Sequence, residues 1–215
     1  MKNFLIILIS FFWFFFWIFN FSENISAQNY SQSYIDVSNS RDDYVYIKDL
    51  RKKWIIDAQD NFYPDDFLTR AELTKIVTLW TMWVNYKKIA WFNSFSDTSE
   101  DDWFYPYVQS ARYYHFISWY PDWTFKPWNN INRAEAIKII LRAVWLNLKF
   151  DENHFRDFSR DEWYSEYANT AYEYWIFEWE VWKNWLPQWI FWADKKITRW
   201  EMATWFSKAL DLSEY

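Results

Sequence analysis

The sequence predicts an all-α fold of three helix–loop–helix repeats, and three observations carry that prediction. Phe, Arg and Glu recur at one spacing in Phe62/Arg70/Glu72, Phe125/Arg133/Glu135 and Phe191/Arg199/Glu201, with Phe eight residues before Arg and Glu two after it. A spacing kept three times in one chain marks a repeat without any alignment. Each Arg follows a Thr or Asn that completes a capping box with the Glu, the signature of a helix start. The residues after it are apolar with helical period. One helix pair cannot bury its apolar faces alone, so the copies must pack on one another, and three are enough to close a ring.

In chain order, residues 1–27 read as a secretory signal. Lys2 forms the positive start, Phe4 to Phe21 is almost wholly apolar, and Ile25-Ser26-Ala27 offers a small residue for cleavage. The apolar run is also long enough to remain as an uncleaved membrane anchor. Both readings imply export, and the lack of cysteine excludes a lipoprotein anchor. Residues 28–33 are a polar linker. The repeats then occupy residues 34–86, 92–147 and 153–212.

Each repeat opens on an aromatic-x-Asp-x signature: Tyr34-Ile35-Asp36-Val37, Phe95-Ser96-Asp97-Thr98 and Phe155-Arg156-Asp157-Phe158. Tyr46, Tyr107 and Tyr167 follow at one offset, then Leu50, Ala111 and Ala171, then Trp54, His115 and Trp175. Val108/Ala111 and Ala168/Ala171 have the spacing of a short first helix. The Asp suits a helix cap or a hold on the preceding turn. Glu100-Asp101-Asp102 and Asp161-Glu162 suit a helix's first turn, with calcium ligation as the other reading.

A turn-rich loop leads to the second helix, most fully written in copy two as Trp119-Tyr120-Pro121-Asp122-Trp123-Thr124-Phe125-Lys126-Pro127. The second helices start at Thr69-Arg70-Ala71-Glu72, Asn132-Arg133-Ala134-Glu135 and Thr198-Arg199-Trp200-Glu201. Their apolar faces are Leu73, Ile76, Val77; Ile137, Ile140, Leu141, Val144; and Met202, Phe206, Ala209, Leu210. The capping box accounts for Thr, Asn and Glu but not for the arginine, which faces the positive end of the helix dipole. Two readings stand side by side. One is a structural ion pair with Asp36, Asp97 or Asp157 of the same or a neighbouring unit. The other is recognition of a carboxylate or phosphate by guanidinium plus helix N-terminus.

Composition narrows the function. The 215 residues carry a net charge of −6, no cysteine and two histidines. His115 and His154 have no partners at metal-ligand spacing, and His115, after a tyrosine pair, reads as a packing residue. No Ser/His/Asp arrangement, phosphate-cradling motif or metal cluster stands out, so neither catalysis nor a cofactor is expected. An acidic chain has no long-range attraction for nucleic acid. The absence of glycine beside twenty tryptophans is the strangest feature, since a usual share of about 7% would give ~15 glycines. Trp119, Trp123, Trp179, Trp182, Trp185, Trp189 and Trp192 stand in turns and loops, where positive φ favours glycine over an indole. The pattern predicts that most tryptophan positions are glycine in the living protein, encoded by UGA and translated here as tryptophan. Trp103 and Trp163, at matching positions in two repeats, are the exceptions. A truly tryptophan-rich protein is the alternative.

These residues resemble the S-layer homology domain family over about residues 34–212. Copy two carries the resemblance best: Phe95-x-Asp97, Trp103, Ala111, Tyr120-Pro121-Asp122-x-Thr124-Phe125-x-Pro127 and Asn132-Arg133-Ala134-Glu135, with glycine restored at Trp119, Trp123 and Trp145. The Thr-Arg-Ala-Glu signature is intact at Thr69–Glu72, has Asn at position 132 and has Trp at position 200. Copy one lacks the Tyr-Pro-Asp loop, and copy three has an expanded loop between Trp179 and Ile190.

The resemblance implies a pseudo-threefold unit around a central three-helix bundle, with grooves between repeats that bind an anionic, often pyruvylated, cell-wall polysaccharide. It implies that Arg70, Arg133 and Arg199 face an acidic sugar, supported by Asp36, Asp97, Asp157, Trp103, Trp163, Tyr120 and Asp122. The expected protein is a non-covalent anchor at the cell surface, in an S-layer. The alternative is a structural or adaptor subunit that recruits another surface-layer protein. Membrane contact is expected only if the N-terminal segment is uncleaved.

Overall fold

A computed structural model of the chain describes residues 34–57, 59–81, 95–149, 152–177 and 190–213. The stretch 1–27 read as a secretory signal, the linker 28–33 and the expanded loop of copy three lie outside the described residues. Among the described residues the fold is all-α. Three short helices, α1 (Tyr44–Lys52), α3 (Tyr105–Tyr113) and α5 (Ser165–Glu173), alternate with three second helices, α2 (Arg70–Thr81), α4 (Arg133–Ala143) and α6 (Arg199–Ser213). None of them is long and apolar enough to cross a membrane.

The second helices start where the capping boxes predict. In each, the Thr or Asn side chain accepts the Glu backbone N–H, and the Glu Oε2 accepts the N–H of the capping residue. Every apolar residue expected on their inner faces is buried. The short helices end by a shared device. Trp54, His115 and Trp175 are left-handed, with φ between 55° and 63°. The next residue, Ile55, Phe116 or Ile176, donates its N–H to Leu50, Ala111 or Ala171. This is the Schellman arrangement, whose left-handed position favours glycine. Trp145 ends α4 in the same way.

His115 therefore departs from its reading as a packing residue. It sits past the helix end with an exposed side chain. The acidic clusters also depart from expectation. They lie in the turns ahead of α3 and α5, because those helices begin only at Tyr105 and Ser165.

The opening Asp holds the loop that follows the first helix, not the helix or the turn ahead of it. Asp36 accepts the N–H groups of Phe62 and Tyr63 at 2.8 and 2.6 Å. Asp97 takes those of Phe125 and Lys126, both at 2.7 Å. Asp157 takes those of Phe191 and Trp192 at 2.9 and 2.7 Å. Two charge-assisted bonds per carboxylate fix the loop, so that its Phe drops into the core. There it meets the opening aromatic ring: Tyr34–Phe62, Phe95–Phe125 and Phe155–Phe191, with centroids 5.2, 5.3 and 5.5 Å apart.

The copies are joined by backbone hydrogen bonds that run in a closed cycle. Leu68 donates to Ile197, Ile197 to Ile131, and Ile131 to Leu68. One step on, Arg70 donates to Asn129, Arg133 to Lys195, and Arg199 to Asp66. Helix packing follows the same order: α2 against α3, α4 against α5, and α6 against α1, with α4 also touching α2 and α6.

Candidate functional site

The cyclic pairing delivers each arginine to the next copy. Arg70 reaches Glu135 at 3.8 Å, Arg133 reaches Glu201 at 3.2 Å, and Arg199 reaches Glu72 at 3.4 Å. The glutamates are shared: Oε2 caps their own helix while Oε1 takes the neighbour's guanidinium. The ion-pair reading of the arginines thus needs a different partner from the one expected. Asp36, Asp97 and Asp157 are not those partners, since both oxygens of each already hold the loop N–H groups. Each guanidinium also lies against the loop Phe of the next copy, at 5.2 Å for Arg70 over Phe125, 5.5 Å for Arg133 over Phe191 and 5.0 Å for Arg199 over Phe62.

Arg70 and Arg133 are both buried, and the three arginines differ in what lies around them. Arg133 is 9% exposed and is ringed by Phe177, Phe191 and Trp205. Arg199 and Arg70 line clefts. The first cleft, of about 440 Å³, brings together Glu72 and Lys75 of the first copy, Trp103 of the second and Arg199 of the third. The second, of about 320 Å³, brings together Arg70, Glu135, Lys138, Trp163, Tyr120 and Ser118. Trp103 and Trp163 are 46% and 53% exposed, as flat apolar walls facing a cation. Lys75 Nζ lies 5.9 Å from the Trp103 ring and Lys138 Nζ lies 4.9 Å from that of Trp163.

Within the second cleft, the Tyr120 hydroxyl donates to Glu135, and burial raises its pKa well above the ordinary phenol value, with this bond adding to the shift and Arg70 opposing it. Arg70 donates one N–H to the Ser118 carbonyl at 3.1 Å, while its buried Nε has no acceptor. Asp122 stands apart on the exposed loop. The Thr124 hydroxyl holds its carboxyl below the ordinary range, helped by the Thr124 N–H and by Lys126 at 3.3 Å. Asp122 braces the turn that presents Tyr120.

Of the ten residues singled out in sequence, then, Arg70, Arg199, Trp103, Trp163 and Tyr120 line clefts. Asp36, Asp97, Asp157 and Asp122 hold loops, and Arg133 lies among Phe177, Phe191 and Trp205. Sequence reasoning missed Lys75 and Lys138. Their signal is positional: each lies five residues after the repeat arginine, where copy three has Thr204. Among the described residues no group of His, Asp and Glu side chains could hold a metal ion.

Residues 94–137 match the S-layer homology domain family. The chain is 33% identical over 85 residues to a surface layer protein of Brevibacillus choshinensis, covering 39% of this chain and 8% of that protein. It is 35% identical over 81 residues to a middle cell wall protein of Brevibacillus brevis, covering 37% and 8%. It is 34% identical over 90 residues to cell surface glycoprotein 1 of Acetivibrio thermocellus, covering 39% and 4%. The chain thus spans less than a tenth of the length of these relatives.

Proposed function

We propose that this chain, similar to S-layer homology domain and cell-surface proteins, attaches to the envelope by binding an anionic cell-wall polysaccharide in the clefts between its repeats. Attachment to the envelope is the general role such a domain serves, and no step of catalysis is needed for it. The finer reading has three tandem copies, at residues 34–86, 92–147 and 153–212, about a pseudo-threefold axis, with α2, α4 and α6 as the central bundle. The closed cycles of backbone bonds and Arg–Glu pairs support that arrangement.

One observation carries the ligand reading: two clefts repeat the same pairing of an exposed indole with a facing lysine and a cleft-lining arginine. A sugar ring presents C–H groups that pack on an indole face, and its acidic substituents suit guanidinium and ammonium groups. The loop aspartates act behind this surface by fixing the loops that form the cleft walls.

The test is retention of the full chain by purified wall polysaccharide of the producing organism. The Trp103→Ala/Trp163→Ala double variant is expected to fold and to lose retention, because both indoles are half-exposed and neither is part of the core. Full retention by that variant would overturn the assignment of the clefts.

A further inference from the structure

The two clefts share a plan but not a charge. In the first, Lys75 and Arg199 face Asp57, Asp66 and Glu72, two cations against three carboxylates. In the second, Arg70 and Lys138 face only Glu135, two cations against one. The difference traces to one repeat position. Asp57 and Ser118 stand at the same offset from Tyr34 and Phe95. Asp57 binds Lys75 at 3.2 Å. Ser118 offers no carboxylate, and Lys138 has no acidic ion-pair partner among the described residues. Lys138 is surrounded instead by the Trp163 ring from the turn before α5, Arg70 of α2, and Arg142 and Glu135 of its own helix. Burial, together with the two arginines, pushes its pKa down to about 8, with Glu135 pulling the other way. Beside it the Arg70 guanidinium, 6% exposed, still has an Nε with no acceptor. An uncompensated cation in a desolvated cleft is an anion site awaiting its counter-charge.

Resting on the reading of the clefts as glycan sites, we propose that the two are not equivalent: the Trp163 cleft selects the acidic sugar, with Lys138 as the residue that takes its charged group, and the Trp103 cleft takes an uncharged one. In the first cleft the lysine already has Asp57, so an incoming anion would have to displace a carboxylate and meet two more. In the second, an anion supplies the missing partner. The acidic group is a carboxylate or a phosphate, which present the same charge to an ammonium group.

The test is calorimetry of the full chain against wall polysaccharide from the producing organism, in three preparations: native, with its carboxylates reduced to alcohols, and with its phosphates removed by hydrofluoric acid. The chain is expected to bind the native polymer at least tenfold more tightly than one of the two neutralised forms, and which one identifies the acid. Lys138→Gln and Ser118→Asp are each expected to remove that preference, Lys138→Arg to keep it and Lys75→Gln to leave it unchanged. Asp57→Asn is expected to give the first cleft a preference for the native polymer.

Near-ultraviolet circular dichroism checks that each variant has folded. Ser118→Asp leaves Lys138 itself in place, so the charge argument stays testable if Lys138→Gln unfolds. If the unaltered chain binds none of the polymers, the glycan reading itself falls and this one with it. If it binds but Lys138→Gln and Ser118→Asp discriminate as the unaltered chain does, the clefts remain glycan sites and the assignment to Lys138 is overturned.

Discussion

The junction at Arg133 and the junction at Arg70 are built from the same parts and differ in what stands around them. Both arginines pair with the glutamate of the following copy, and both lie against its loop Phe. At Arg133, Phe177 and Trp205 lie over the guanidinium, and Lys195 Nζ stands 3.9 Å from Glu201. At Arg70 a cleft opens beside the pair, walled by Trp163 and Lys138. The positions that supply Trp103 and Trp163 in two copies hold Asp42 in the first, and those that supply Lys75 and Lys138 hold Thr204 in the third. By register both substitutions fall at the Arg133 junction. Arg and Glu thus form the frame at every junction, and the residues around the frame decide whether it is a site. A repeated motif identifies what holds the copies together more securely than it identifies what they bind.

The largest effect expected from this contrast is on stability. Arg133→Ala leaves Glu201, itself buried, without its guanidinium partner. Breaking a buried pair by removing one member costs about 3–5 kcal/mol, so the urea midpoint should fall steeply. Arg199→Ala breaks a pair whose arginine and glutamate side chains are 24% and 37% exposed, and its cost should be nearer ~1 kcal/mol. Equal losses at the two sites would erase the distinction between a buried and a part-exposed pair.

Next in size is the loss of an indole wall. Trp163→Ala should weaken binding of native wall polymer by about 2 kcal/mol, the scale of an aromatic hot spot, with an unchanged melting temperature. Trp205→Ala should do the reverse. Trp205 is buried against Phe177 and Arg133, so its removal is expected to lower stability and leave the affinity of the folded fraction as it was.

The all-α character was legible in the sequence because its determinants are local and recur. Capping boxes need only four residues, and the apolar period of the second helices is strong. The cycle joining the copies was not legible, since it depends on main-chain atoms of Leu68, Ile131 and Ile197 that no side-chain pattern reports. The role of the repeat aspartates was misread for a related reason: an aspartate near a helix suggests a cap, and only the tertiary path shows Asp97 facing a loop 28 residues away. The arginines suggested a site in the sequence, but Glu135 hid half of their story, because a capping box accounts for that residue by itself. Lys75 and Lys138 went unnoticed because a lysine on a helix reads as a solvated face.

A smaller effect follows from the lowered pKa of Lys138. Below pH 8 the ammonium is charged and available to an anion. As pH rises through about 8 it loses its proton in the unliganded cleft, and affinity for the native polymer should fall by at most about tenfold between pH 7 and 9. The stability of the free chain should move the other way. The ordinary lysine value is 10.5, so the unfolded chain holds this proton more tightly between about 8 and 10.5. Folding therefore gains as pH rises through that window. Calorimetry and urea melts across this range, compared with Lys138→Gln, separate the two trends. An affinity flat with pH in the unaltered chain would argue for two equivalent clefts.

The smallest effect concerns tryptophans outside the walls of the two candidate clefts. Trp54, Trp123, Trp145, Trp175 and Trp192 are left-handed and exposed, a conformation that costs a residue with a Cβ about 1 kcal/mol relative to glycine. Trp145→Gly should therefore raise stability by about that amount, read from the urea midpoint, and Trp103→Gly should not. Left-handed backbone alone does not require glycine in this fold, since Tyr63, His115 and Lys126 share it. The intact mass of the native protein decides how many of the twenty tryptophan positions are glycine as synthesised. The answer bears on the second cleft, where Trp119 lines the wall, stacks on Trp123 at 5.1 Å and covers Arg112 at 4.0 Å. Glycine at positions 119 and 123 would widen that cleft and uncover Arg112, adding a further cation near the one that already distinguishes it. Tryptophan at both would keep the cleft narrow and leave its charge preference to Lys138 and Arg70.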